Sequence, residues 1–272
     1  MDVTEIFDKI APDVPEKIFP DFIKLICMYE EQQDKQKISS LDFKSVPPPN
    51  LRFHVTGRPF LDFFLKSGNM TAQNLENALQ QVGKNFDSFD NILEFGCGCG
   101  RLTIWLQEYL KSKNYYGTDI DAEAISWCKN NLGFGTFDVN SANPPLSYAS
   151  DKFDLIYSYS VFTHLDEEHQ FSWLDELKRI TKTDGIVMLT VRGEEDHEKQ
   201  YWTDEDKEQL KKYGFLFRHS NLWSGFFPSW YQTAFHTKDY VTNNFSKYFE
   251  VLKYIPKGSR RIGQDIVILR KQ

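Results

Sequence analysis

The chain has 272 residues, 40% of them hydrophobic, enough for one large domain, or a domain with an appendage, to bury a proper core. Lys and Arg number 32 against 39 Asp and Glu, and the net charge of −7 repels phosphate backbones, so nucleic acid is not an expected partner. The tight basic cluster Lys257, Arg260, Arg261 reads as a solvated loop, and no run of ~18 apolar residues predicts a membrane span.

Residues 1–46 read as helical, because Phe19, Phe22, Ile23, Ile26 and Tyr29 recur at helical spacing before a charged end at Glu30 to Lys37. No apolar segment of signal-peptide length opens the sequence, so the expected location is the cytoplasm. VPPPN at 46–50 interrupts the helical pattern, since three prolines favour an extended connector. Residues 1–50 thus form a helical extension with a Pro-rich connector. Residues 51–90 open with LRFHVTGRPFLDFF and form a helical lead-in placed to fold over a site as a lid. Within it Thr71 caps a second helix, which carries Leu75, Ala78, Leu79 and Val82 on one face and stops near Gly83.

From residue 91 strands and helices alternate. NILEFG, NYYGTDI, residues 136–139, KFDLIYSYS and DGIVMLTVRG read as strands. RLTIWLQEYLKS, DAEAISWCKNNL and EEHQFSWLDELKRIT read as the helices between them. This order predicts an α/β fold, a doubly wound parallel sheet with right-handed crossovers and helices on both faces. Residues 193–236 break the rhythm with an acidic helix, TDEDKEQLKKYG, and an aromatic-rich irregular stretch. A helix over TKDYVTNNFSKYF follows, then two strands, FEVLKYI and QDIVILRK, expected to run antiparallel and close the sheet edge. Residues 91–272 therefore read as one α/β domain with an aromatic insertion at 193–236.

The turn after the first strand carries Gly96, Gly98 and Gly100. Missing Cβ atoms let a ligand pack on the backbone, and the following helix offers free N–H groups. The spacing is GxGxG, and Arg101 stands where a dinucleotide fingerprint needs its third glycine. No P-loop motif occurs. Glu94, two residues before Gly96, suits an ammonium group better than a phosphate. Asp119 ends the next strand, where an acid takes ribose hydroxyls, and Asp138 ends the third, within reach of an adenine amino group. The set suits a nucleoside with an attached amino acid and no phosphate. Cys27, Cys97, Cys99 and Cys128 form no disulfide framework, and a lone C-x-C lacks the second pair of a zinc site, so no metal is expected.

The succession ExGxGxG, YYGTDID, FDVN, FDLIYSYSVFTHL and LKRITKTDGIVMLT, over residues 91–192, resembles the class I S-adenosylmethionine-dependent methyltransferase family. The resemblance implies a Rossmann-like seven-stranded sheet whose last strand is antiparallel, with S-adenosyl-L-methionine as cofactor. It implies that Glu94, Gly96, Gly98 and Gly100 line the methionine part, with Arg101 beside them. By the same carry-over Asp119 holds the ribose, Ile120, Asp138 and Val139 surround the adenine, and Ser158 and Tyr159 sit beside the sulfonium.

His164, in SVFTHLDEEH after the fourth strand, is the candidate base, since ligands gather at the carboxyl ends of strands and an ordinary imidazole pKa of ~6.5 suits the task. It can equally shape the pocket without acting as base. His54, Arg58 and Phe60 from the lid, and Trp223, Trp230, Tyr231 and His236 from the insertion, are candidates for the acceptor pocket; those aromatics can equally form a satellite core. SYSV replaces the NPPY-like tetrapeptide of base and glutamine methylation. The expected acceptor is thus an oxygen, or a nitrogen, of a small metabolite or sugar-like molecule. A nicotinamide-dependent oxidoreductase on the same sheet and a non-catalytic nucleoside-binding module are the rival readings.

Overall fold

The structure is a computed structural model that describes residues 3–38, 45–219, 226–228, 230–259 and 263–272. Four helices precede the sheet: α1 (Val3–Ile10), α2 (Phe19–Lys37), α3 (Pro49–Thr56) and α4 (Leu61–Gln80). The proline run does not merely connect. Pro49 opens α3, where a missing N–H costs nothing, and Gly57 ends it at φ 70. Helix α4 runs unbroken through the expected cap at Thr71, whose hydroxyl instead donates to the Ser67 carbonyl at 2.9 Å. Gly68, which looks like a break in sequence, is a packing site: a Cβ there would lie 2.4 Å from the Arg101 carbonyl oxygen.

The α/β alternation follows as β1 (Asn91–Phe95), α5 (Thr103–Leu110), β2 (Asn114–Asp119), α6 (Ala122–Asn131), β3 (Thr136–Val139), β4 (Phe153–Ser158), α7 (Glu167–Ile180) and β5 (Thr181–Val191). β1, β4 and the second half of β5 are mostly apolar and buried because helices cover both faces of the sheet there, whereas β2 mixes polar and buried positions and the edge strand β3 buries only Phe137. Next come α8 (Asp204–Tyr213), β6 (Phe215–Arg218), β7 (Thr233–His236), α9 (Lys238–Phe245), β8 (Glu250–Ser259) and β9 (Gln264–Arg270).

The seven-stranded order is β3-β2-β1-β4-β5-β9-β8, and β9 runs antiparallel to both of its neighbours. The chain winds outward from β1 to β3 and then resumes at β4 on the other side of β1. That reversal opens a crevice at the carboxyl ends of β1 and β4, where open α/β sheets hold their ligands. The expected irregular stretch after α8 is partly regular: β6 and β7 pair antiparallel as a separate two-stranded sheet.

One apolar cluster, with Leu79, Ile92 and Tyr157, fills one face of the sheet, and a second, with Phe95, Trp173 and Val187, fills the other. A third gathers Phe7, Phe19, Ile23, Phe53 and Phe60 under the N-terminal helices, with Phe226 of the aromatic segment packed against it. Beside it Arg52, fully buried, donates to Asp34 at 2.6 Å and to the Pro59 carbonyl at 2.7 Å, pinning α3 to α2. No helix among the described residues is long and apolar enough to cross a membrane.

Candidate active site

A cavity of about 400 Å³ opens at the crevice, within the usual ~300–1,000 Å³ of small-molecule sites. The glycine turn after β1 forms its floor. Gly96 and Gly98 have φ 83 and φ 52, and both are tightly covered. A Cβ on Gly96 would lie 2.2 Å from Val161, and one on Gly98 would lie 2.4 Å from Val55 of α3. Any side chain here would push away a wall of the cavity. Val55 thus brings α3 against the glycine turn, and His54 ties α3 to the loop after β2 through Asp121, at 2.8 Å.

Glu94 lies at the end of β1, 2% exposed. The hydroxyls of Tyr115, Thr103 and Tyr157 donate to its Oε2 at 2.6, 2.9 and 2.9 Å, while Oε1 is left for the cavity that Glu94 lines. Burial pushes the carboxyl up to about 7, against the opposing pull of the three hydroxyl bonds. Asp119 ends β2 and joins it to the turn: Oδ2 accepts from the Gly98 N–H at 2.7 Å and Oδ1 from the Asp121 N–H at 2.9 Å. Burial raises its pKa as well. Arg101 is 6% exposed, lines the same cavity and lies 5.0 Å from the centre of the Tyr159 ring.

His164 lines the same cavity. Its Nδ1 is 2.8 Å from the Gln232 carbonyl, which can only accept, so Nδ1 carries the hydrogen and Nε2 keeps its lone pair. The ring stacks on Tyr231 at 4.0 Å, and Tyr231 stacks on Phe227 at 4.5 Å. Burial, reinforced by the charge of Arg192, lowers the imidazole to about 3, so His164 is neutral at physiological pH.

Of the residues expected at the site, the cavity brings together His54, Glu94, Gly96, Gly98, Arg101 and Asp119, and with them Ile120, Tyr159, His164, Trp230 and Tyr231. Others lie off it. A Cβ on Gly100 would meet Leu132 and Cys128 rather than the cavity. Asp138 faces Lys129 at 3.9 Å, Val139 is exposed at the strand end, and Ser158 is buried in β4. Arg58 pairs with Asp8 and covers Phe63, Phe60 belongs to the N-terminal cluster, and His236 is fully buried against Gln170 at 3.0 Å. Trp223 lies outside the described residues. The cavity also takes Asp121, Asn140, Val161 and Trp173, which the sequence reading does not select. Asn140 already stands in the quoted FDVN, but a polar residue after a strand gives no further signal.

The charge pattern discriminates between ligands. Carboxylates of Glu94, Asp119 and Asp121 share the cavity with one buried guanidinium, with His54, which is itself paired to Asp121, and with the neutral His164. A pyrophosphate would meet this set with repulsion, whereas an ammonium, a sulfonium and ribose hydroxyls are complementary to it. Glycines whose Cβ atoms would collide with Val55 and Val161 complete the cradle.

The family model described as a methyltransferase domain matches residues 69–230, more than half of the chain. The malonyl-[acyl-carrier protein] O-methyltransferase of Calditerrivibrio nitroreducens is 27% identical over 135 residues, 49% of this chain and 51% of that protein, so the chain spans about half the length of this relative. Human N-acetylserotonin methyltransferase, solved with S-adenosylmethionine, superposes with a TM-score of 0.51 at 14% identity, over 82% of this chain and 55% of that one. A glycopeptide N-methyltransferase solved with the same compound gives 0.52 at 12% identity, over 75% and 95%.

Proposed function

The chain belongs to the methyltransferase-domain family, with S-adenosylmethionine as cofactor, and from that premise we propose that it methylates an oxygen, or a nitrogen, of a small-molecule acceptor. The observation that carries this reading is the union, in one cavity, of an acid-lined glycine cradle with a neutral histidine. In it Glu94 Oε1 takes the ammonium of the methionine part and Arg101 its carboxylate. Asp119 keeps lone pairs for the ribose hydroxyls, and Ile120, Asn140 and Trp173 bound the adenine. Bound there, the cofactor supplies a methyl group already activated by positive sulfur.

The remaining work falls to this chain's own residues. His164 accepts the acceptor's hydroxyl hydrogen at Nε2 and so aims the oxygen. With a pKa near 3 it holds a proton weakly, and takes it only as the oxygen loses electron density. Alignment is then the main contribution, and it supplies about 7–11 kcal/mol at best. Phe227, Tyr231 and Trp230 build an aromatic side that excludes water. The O-methyltransferase name of the Calditerrivibrio relative agrees with an oxygen acceptor.

Parallel calorimetric titrations with S-adenosylmethionine and NAD test the premise, and an acceptor screen with labelled methyl donor tests turnover. Asp119→Ala should bind the methyl donor about tenfold more weakly, because it removes a buried hydrogen-bond acceptor. Binding of NAD in preference to the methyl donor would overturn this reading.

A further inference from the structure

Four described residues other than glycine have left-handed backbones, Asp151, Ser160, Asp184 and Lys257, and of these Ser160 lines the cavity, at φ 63. Such a conformation persists where its surroundings over-determine it, and it recurs at functional sites. Ser160 is held from several sides. Its N–H donates to Thr190 Oγ1 of β5 at 2.7 Å. Its Oγ accepts from Gln264 Nε2 of β9 at 3.0 Å and lies 3.3 Å from Thr163 Oγ1. The preceding residue, Tyr159, shares a 2.6 Å bond with Ser259 Oγ of β8.

Ser259 and Gln264 face each other in the β8–β9 register, and both are buried, at 0% and 1% exposure. A single rung of the C-terminal hairpin therefore grips two consecutive cavity residues about a hundred positions earlier in the chain. Both lead directly to the cradle. Tyr159 presents its ring to the Arg101 guanidinium. The left-handed turn at Ser160 throws Val161 onto Gly96 and begins the turn in which the His164 N–H donates to the Val161 carbonyl at 2.9 Å.

We propose that the Ser259–Gln264 rung is a positioning element of the cofactor site, acting through Tyr159 and Ser160. The proposal rests on the reading that the cavity holds S-adenosylmethionine. A rung that only closed the sheet would influence melting but not the cradle. A rung that positions the cradle changes ligand affinity in a way that depends on the Ser160 bond itself.

Calorimetric titration with S-adenosylhomocysteine separates the two. Gln264→Met keeps the side-chain volume and removes the bond, and Ser160→Ala removes it from the other side. Each should weaken affinity about fivefold to tenfold, the usual worth of one buried hydrogen bond. The double variant should be no weaker than Ser160→Ala alone, because that variant has already deleted the Gln264 bond. Gln264→Glu, whose carboxyl accepts from the Ser160 hydroxyl, should return affinity to within about twofold of wild type. Wild-type affinity in Gln264→Met at an unchanged melting temperature overturns the proposal, as does an equal loss in the Glu and Met variants. If Gln264→Met does not fold, Ser160→Ala and Ser259→Ala carry the test, and unchanged affinity in both overturns it. Absence of binding in the wild type instead removes the cofactor reading, and this proposal with it.

Discussion

With Glu94 receiving the cofactor's ammonium, as proposed, ligand binding becomes a proton-linked event. The free carboxyl, raised to about 7 by burial, must be ionised to meet an ammonium. Above pH 7 no proton has to leave. Below it affinity should fall tenfold per pH unit, so about 30-fold is lost between pH 8 and pH 5.5. The same group acts on folding with the opposite sign. Its folded pKa lies above its ordinary value of 4.5, so its contribution to stability is fully present below 4.5 and is lost as pH rises to about 7. The loss approaches about 3 kcal/mol at 1.36 kcal/mol per pH unit. The thermal shift produced by S-adenosylhomocysteine should therefore grow with pH while the ligand-free protein loses this share of its stability. Titration calorimetry in buffers of different ionisation enthalpy counts the proton directly, near one released per ligand at pH 6. Asp119, also raised by burial, acts in the same sense, and Glu94→Gln isolates the Glu94 share. A flat affinity from pH 5.5 to 8, or an unchanged slope in Glu94→Gln, would refute the reasoning.

Gly98→Ala should displace α3, since its Cβ would lie 2.4 Å from Val55, and S-adenosylhomocysteine should bind at least about tenfold more weakly by calorimetry. Asp34→Asn leaves Arg52 buried without its counter-charge and should cost about 3–5 kcal/mol in denaturant unfolding; near-wild-type stability would contradict that. In His164→Ala, cofactor affinity should hold within about twofold while labelled-methyl transfer drops about 10²–10⁴-fold. Full turnover in that variant makes His164 a wall residue.

The sheet was legible because its central strands, β1, β4 and the end of β5, are buried and read as apolar runs closed by turn residues, and because helices alternate with them. The antiparallel edge was expected from FEVLKYI and QDIVILRK joined by a short connection, and the family resemblance implied an antiparallel last strand as well. Thr71 misled because Gly68 and Asn69 look like a helix break, whereas Gly68 is the place where α4 meets Trp105 and the Arg101 carbonyl. The β6–β7 pair was hidden because its partners are separated by a long connection. At the site, Glu94, Gly96, Gly98 and Asp119 line the cavity as their strand-end positions suggested, whereas Gly100 and Asp138, chosen on the same grounds, lie off it. Aromatic and basic side chains could not: Tyr231 and His236 stand five residues apart, yet one stacks on His164 and the other is sealed against Gln170. Only the packing of β7 separates them.

The two kinds of charge pair holding the N-terminal helices imply a response to ionic strength. Arg52–Asp34 is buried, so dissolved ions scarcely reach it, whereas Arg58–Asp8 and Lys37–Asp62 stand in solvent. The Debye length contracts from about 10 Å at 0.1 M to about 3 Å at 1 M, which weakens the outer pairs and leaves the inner one almost untouched. Concentrated brine should therefore weaken the polar share of the grip on α1, whose Phe7 stays packed in the N-terminal apolar cluster, while the clasp between α2 and α3 is left almost as it was.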